Sequence, residues 1–141
     1  MIKSYTFWLK SAIVLQILTA AIHAMSFFVE QVPSNETEKQ LIDLMSNYRS
    51  DLGAGFSPST REIFLALSSC FSLLYLLGGL INWHLIKIKL TRESMKGILN
   101  INILVFGIAF FMMFILTFLP PVILTGLTLI LLVASRLTIK L

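Results

Sequence analysis

His23 sits well inside an apolar stretch of this chain, and it belongs to a series: Gln16, Thr19, His23, Ser26 and Glu30 recur at intervals of three, four, three and four. That spacing places them on one face of a helix. A second series, Ser68, Ser72, Tyr75, Gly79 and Asn82, repeats the pattern, with Arg61 one heptad ahead of Ser68. An imidazole titrates near neutrality in water, so a histidine facing hydroxyls and an amide could relay a proton or hold a polar head group. If the two helices run antiparallel, counting inward from Val29 and Glu62 sets His23 level with Ser68 and Ser69, Thr19 with Ser72, and Gln16 with Tyr75. Two chemistries follow. Such pairs can act as interhelix glue, each worth on the order of 1 kcal/mol or less, with Ala12, Ala20, Gly78 and Gly79 permitting close approach. Alternatively, His23, Gln16, Thr19, Ser68, Ser72 and Tyr75 line an outward-facing cavity for a membrane-soluble small molecule such as a quinone or a lipid.

The sequence holds little else for catalysis. It has no His/Asp/Glu cluster at metal-ligand spacing, no nucleophile elbow and no glycine-rich phosphate loop, so no catalytic residue, metal or cofactor is expected. His84 falls near the opposite end of its apolar stretch from the level of His23, which argues against a haem held by both. The absence of a carboxylate at mid-span argues against a proton-driven exporter. The lone Cys70 excludes an intrachain disulfide and is expected to serve packing.

The elements that carry these residues are set by hydropathy. The chain is 57% hydrophobic and 13% charged, against roughly 25% charged for an ordinary soluble domain. Residues 97–139 contain no charge except Arg136. As one helix that run would extend ~64 Å, about twice the hydrocarbon core of a bilayer. It must fold back, and Leu119-Pro120-Pro121 marks the place: Pro120 disfavours helix at the residue before it, and Pro121 suits the first turn of a new one. With the apolar stretches at 7–29 and 63–86, the expectation is an all-α membrane protein. Its four transmembrane helices, at about 7–29, 63–86, 97–119 and 121–139, form one antiparallel bundle over residues 1–141. Lys3 and Lys10 ahead of an apolar run also resemble a secretory signal, with Thr19-Ala20-Ala21 as a cleavage site, but the run continues through Phe27, Phe28 and Val29 and is long enough to span.

Charge sets the orientation. Residues 30–62 carry six acids and three bases, whereas the rest of the chain carries eight bases and the single acid Glu93. Basic residues stay in the cytoplasm, so both termini and the loop after the second span are expected inside, and the loop 30–62 outside. Because these bases flank the spans instead of forming one face, nucleic acid is not an expected partner. Within the outward loop, Asn35 and Glu38 have capping-box spacing. Leu41, Ile42, Met45, Tyr48 and Leu52 then recur at helical intervals until Gly53, which predicts a short amphipathic helix. Gly53-Ala54-Gly55 supplies a turn, and Ser59 with Glu62 forms a second capping box.

The third span offers Asn100, Asn102 and Gly107, and the fourth Thr125, Gly126, Thr128 and Ser135. Asn100 and Asn102 are expected near Asn82 in an inner polar cluster. Phe110, Phe111, Met112, Met113 and Phe114 wrap a full turn and suit a surface facing lipid or a partner. Trp8 and Trp83 fall at the cytoplasmic interface, as an aromatic belt would.

The order of Ala20-Ala21-Ile22-His23-Ala24, then Gly55-Phe56-Ser57, then Leu77-Gly78-Gly79-Leu80-Ile81-Asn82 resembles small bacterial four-helix membrane proteins of the broad DoxX-like type. The resemblance implies a bacterial cytoplasmic (inner) membrane and a larger complex, and supplies no catalytic residue. The expected function is therefore a non-enzymatic accessory or assembly subunit, partnered by the lipid bilayer and by another membrane protein or a second copy. The competing expectation is the binder, or enzyme, with a cavity around His23.

Overall fold

The computed structural model describes residues 4–140. Helix α1 is Tyr5–Met25 and runs into a 3-10 turn at Ser26–Phe28; α2 is Glu36–Asn47, α3 Thr60–Lys87, α4 Arg92–Leu116 and α5 Leu119–Thr138. No strand occurs among the described residues, where only an isolated bridge joins Arg49 to Ser59. Four segments, Tyr5–Phe28, Thr60–Lys87, Arg92–Leu116 and Leu119–Thr138, are long and apolar enough to cross a membrane, with mean hydropathies of 1.7, 2.0, 2.4 and 1.8.

Local chemistry sets the helix ends. Thr91 Oγ1 accepts from Ser94 N–H, so α4 begins at Arg92, ahead of the apolar run. It stops at Leu116. Thr117 and Phe118 are extended, and the prolines then occupy the first turn of α5, where their missing N–H groups have no intrahelical acceptor to lose. Between α3 and α4 the chain turns tightly, with Lys89 at φ 52° and Leu90 N–H donating to the Leu85 carbonyl.

The chain divides into two compact units: Met1–Ala20 with Leu74–Leu141, and Ala21–Leu73. In the first, α4 and α5 pack along each other, and Leu9, Ala12, Ile13, Tyr75, Met95, Leu99, Phe106 and Leu132 form the apolar core. Gln16, Asn82, Thr125, Thr128 and Ser135 are equally buried, whereas Leu18, Leu77, Leu104, Phe111 and Ile130 are exposed. A water-soluble domain sorts its side chains the other way. Lipid, which hydrogen-bonds to nothing, drives polar groups inward and tolerates leucine outside. Phe111, Met112 and Phe114 are exposed accordingly, while Phe110 lies half-buried against Gly126, where a Cβ would come within 3.0 Å of its ring.

The second unit holds α2 and the segment after it. Asn35 Oδ1 accepts from Glu38 N–H at 2.9 Å, and Glu38 Oε2 accepts from Ser34 N–H. The helix ends at Asn47, short of the expected Leu52. From Tyr48 the backbone is extended, and it pairs with itself through Ser50 N–H to the Pro58 carbonyl and Leu52 N–H to the Phe56 carbonyl. The turn that closes this loop has three successive positive φ values, at Gly53, Ala54 and Gly55. Glycine adopts that conformation at no steric cost, and a helix cannot run through it. Cys70 is exposed on α3, not packed inside as expected.

Candidate functional site

The polar residues of the first unit are largely occupied with one another. Tyr75, wholly buried, donates its hydroxyl to Thr125 Oγ1 at 2.8 Å, and Thr125 in turn donates to the Pro121 carbonyl at 2.6 Å. The Tyr75 ring stands edge-on to Phe106 with centroids 5.1 Å apart. Asn82 and Asn102 form a reciprocal amide pair, each Nδ2 3.3 Å from the other's Oδ1. Asn82 Nδ2 also reaches Gln16 Oε1 at 3.4 Å. Ser135 donates to the Tyr5 carbonyl, and Arg136 Nε donates to Asn100 Oδ1 at 2.8 Å.

The expected register is therefore corrected at two residues. Gln16 hydrogen-bonds to Asn82, and Tyr75 turns to α5. The cause is the glycine pair: a Cβ at Gly78 would lie 3.0 Å from Gln16 Nε2, and one at Gly79 would lie 3.0 Å from Ile17 Cγ1 and 3.4 Å from Gln16 Cβ. Only glycine lets α1 come so near. The inner amide cluster likewise has a different membership, since Asn102 pairs with Asn82 while Asn100 is taken by Arg136. Thr19 and Ser72 are both buried, and neither hydroxyl has a hydrogen-bond partner; the same holds for Gln16 Nε2.

In the second unit His23 is half-buried between Phe27 and Phe71, edge-on to both, with centroids 5.3 and 4.9 Å away, and its ring meets the Ser68 backbone. A cavity of about 320 Å³ lies beside this cluster, walled by Ser26, Phe27, Val29, Gln31, Met45, Ser46, Arg61, Phe64, Leu65 and Ser68. Of the six residues expected to line one cavity, Ser68 lines this one; Gln16 and Tyr75 belong to the hydrogen-bonded interior of the first unit.

Sequence reasoning did not single out the ionic clamp at the foot of α3. Arg49 Nη1 and Nη2 lie 3.2 and 3.3 Å from the two Glu62 oxygens, and Nη1 also donates to the Ser57 carbonyl. Glu62 Oε2 accepts from Ser59 N–H at 2.7 Å, and Glu62 N–H donates to Ser59 Oγ, completing the capping box. The capping spacing was visible in the sequence, but the partner 13 residues upstream was not. Arg61, by contrast, has no hydrogen-bond or ion-pair partner for its guanidinium among the described residues. No group of three or more His, Cys, Asp or Glu stands where it could hold a metal ion, again among the described residues. No family model, curated protein or solved structure matches this chain.

Proposed function

We propose that this chain is a non-enzymatic accessory or assembly subunit of a larger complex in the bacterial cytoplasmic membrane, in the manner of the DoxX-like proteins it resembles. Its four apolar helices cross antiparallel with both termini in the cytoplasm, and α2 with the loop 30–62 lies on the outer side. The observation that supports the role is the occupied interior. Tyr75, Thr125, Asn82, Asn102, Asn100, Ser135 and Arg136 spend hydrogen-bonding capacity on one another or on the backbone, which cross-links helices and favours a scaffold over a catalyst. The experiment is purification in a mild detergent followed by native mass spectrometry. A defined membrane-protein partner or a discrete homo-oligomer is the expected result; a lone monomer, under conditions that preserve complexes, refutes the role. Reporter fusions after Lys89 and Leu141 should report the same side and one at Ala54 the other. Opposite sides for the first two would overturn the topology.

A second reading, a binder of a small amphiphile, is favoured by the cavity beside His23 and by the unpaired Arg61 on its wall.

A further inference from the structure

We propose that the cavity of the second unit binds an anionic amphiphile, holding its negatively charged head group at Arg61 and letting its apolar chain leave past Phe64 and Val29. The inference deepens the binder reading and does not depend on the accessory role.

Three features converge on this assignment. The first is charge. Arg61 and Glu62 are neighbours at the start of α3, where adjacent side chains do not face each other. Here both Glu62 oxygens are engaged by Arg49, and one of them also takes the Ser59 N–H. Arg49 thus ties down the carboxylate nearest in sequence to Arg61. The other acids close in sequence to the wall, Glu30 and Asp43, are exposed, do not line the cavity and form no ion pair with Arg61, and Asp43 Oδ1 accepts from Asn47 Nδ2 at 2.6 Å. A guanidinium presents five N–H donors in a fixed fork, matched to the paired oxygens of a phosphate or carboxylate.

The second feature is the composition of the wall. Besides Arg61 the lining includes Ser26, Gln31, Ser46 and Ser68, residue types whose hydroxyls and amide suit the oxygens of a head group. Phe27, Val29, Met45, Phe64 and Leu65 form the apolar remainder. Ser26 already donates to the His23 carbonyl at 2.6 Å, which leaves its oxygen as an acceptor for a glycerol-like hydroxyl.

The third feature is size and place. About 320 Å³ is at the small end of the ~300–1,000 Å³ typical of ligand sites, enough for a head group and the first carbons but not for whole acyl chains. Phe64 is 55% exposed and Val29 65% exposed, so the tail has an apolar path outward. Arg61 stands at the polar end of an apolar helix, where a head group would reach it.

The full-length protein, purified in a neutral maltoside detergent, would be incubated separately with phosphatidylglycerol, phosphatidylcholine, dodecyl phosphate and inorganic phosphate, and retention read by native mass spectrometry. The anionic amphiphiles should be retained in preference to phosphatidylcholine, and inorganic phosphate should not be retained. Retention of phosphatidylglycerol assigns the ligand to the bilayer; retention of dodecyl phosphate alone assigns it to a free amphiphile, and either supports the site. Arg61→Gln should lower retention at least about fivefold, Arg61→Lys less, and Lys39→Gln, an exposed cation on α2, should leave it unchanged. Ser46→Trp, which narrows the cavity without touching the charge, should lower it too, with circular dichroism confirming intact helix. Equal retention of phosphatidylcholine and phosphatidylglycerol, or unchanged retention by Arg61→Gln in a folded protein, would overturn the assignment.

Discussion

Removing one oxygen atom from Tyr75 tests whether the buried polar groups hold this protein together. Tyr75→Phe keeps the ring, and with it the edge-on contact with Phe106, and deletes only the hydroxyl, which donates to Thr125 at 2.8 Å and also meets the Thr128 side chain. That length is near the optimum for O–H···O, so the bond belongs to the stronger part of its class. Interhelix hydrogen bonds in membranes average about 0.6 kcal/mol and reach about 1.7. Thr125 keeps its own donor on the Pro121 carbonyl, so the substitution strands no buried hydrogen. A loss of about 1 kcal/mol is expected, against about 3–5 kcal/mol when a whole buried aromatic side chain is truncated to alanine. Unfolding in mixed micelles with rising dodecyl sulfate, followed by circular dichroism, measures it. A double-mutant cycle with Thr125→Val isolates the pair, because the lost Pro121 contact cancels in the coupling term. Coupling within error of zero would refute the reasoning, and so would a Tyr75→Phe variant as stable as the parent.

Asn82→Leu, which keeps the branched shape with apolar atoms, removes the reciprocal pair with Asn102 and the contact with Gln16 and should cost about 1–2 kcal/mol in the same unfolding assay; adding Asn102→Leu should cost less than the sum, because the stranded amide is then gone. Gly79→Leu should destabilise by about 1–3 kcal/mol, since its first added carbon already meets Ile17 and Gln16, whereas Gly97→Leu, with nothing within 4 Å of that carbon, should be tolerated. Glu62→Ala removes the capping carboxylate and the Arg49 clamp together, so limited chymotrypsin digestion after Phe56 should speed up several-fold while the helical content stays unchanged. An unchanged digestion rate would mean that the clamp does not hold the loop.

The long helices were legible because their cause is local. Each apolar run is long enough to span, and the proline pair carries its own start chemistry, whereas the Thr91 cap that begins α4 ahead of its apolar run was not singled out. The polar stripes were legible too, since intervals of three and four put residues on one face wherever the helix sits. What sequence could not fix was the register between helices. Counting inward from Val29 and Glu62 treats two helices as equal cylinders, but Gly78 and Gly79 thin α3 locally, and Gln16 settles against them and reaches Asn82. The length of α2 was misjudged for a similar reason. Tyr48 and Leu52 continue the helical spacing, yet the stretch is extended, because Ser50 and Leu52 find backbone partners at Pro58 and Phe56. The Arg49–Glu62 clamp depends on that same return of the chain.

Lipid makes the buried polar residues informative in a way that buried leucines are not. A leucine gains little from packing against another helix instead of an acyl chain, so the apolar surface alone barely selects which face of a helix turns inward. Gln16, Asn82 and Asn102 do select it, since turning any of them outward leaves an amide in hydrocarbon with no partner. The same engagement limits what these residues can do for a ligand. To bind one, Tyr75 would have to release Thr125, and Asn82 would have to release Asn102, so each new bond would come at the expense of an existing one. Arg61 carries no such debt: its fork is unpaired among the described residues, it stands on a cavity wall, and the carboxylate beside it in sequence is already held by Arg49. Recognition chemistry is therefore better sought there than among the polar pairs of the first unit.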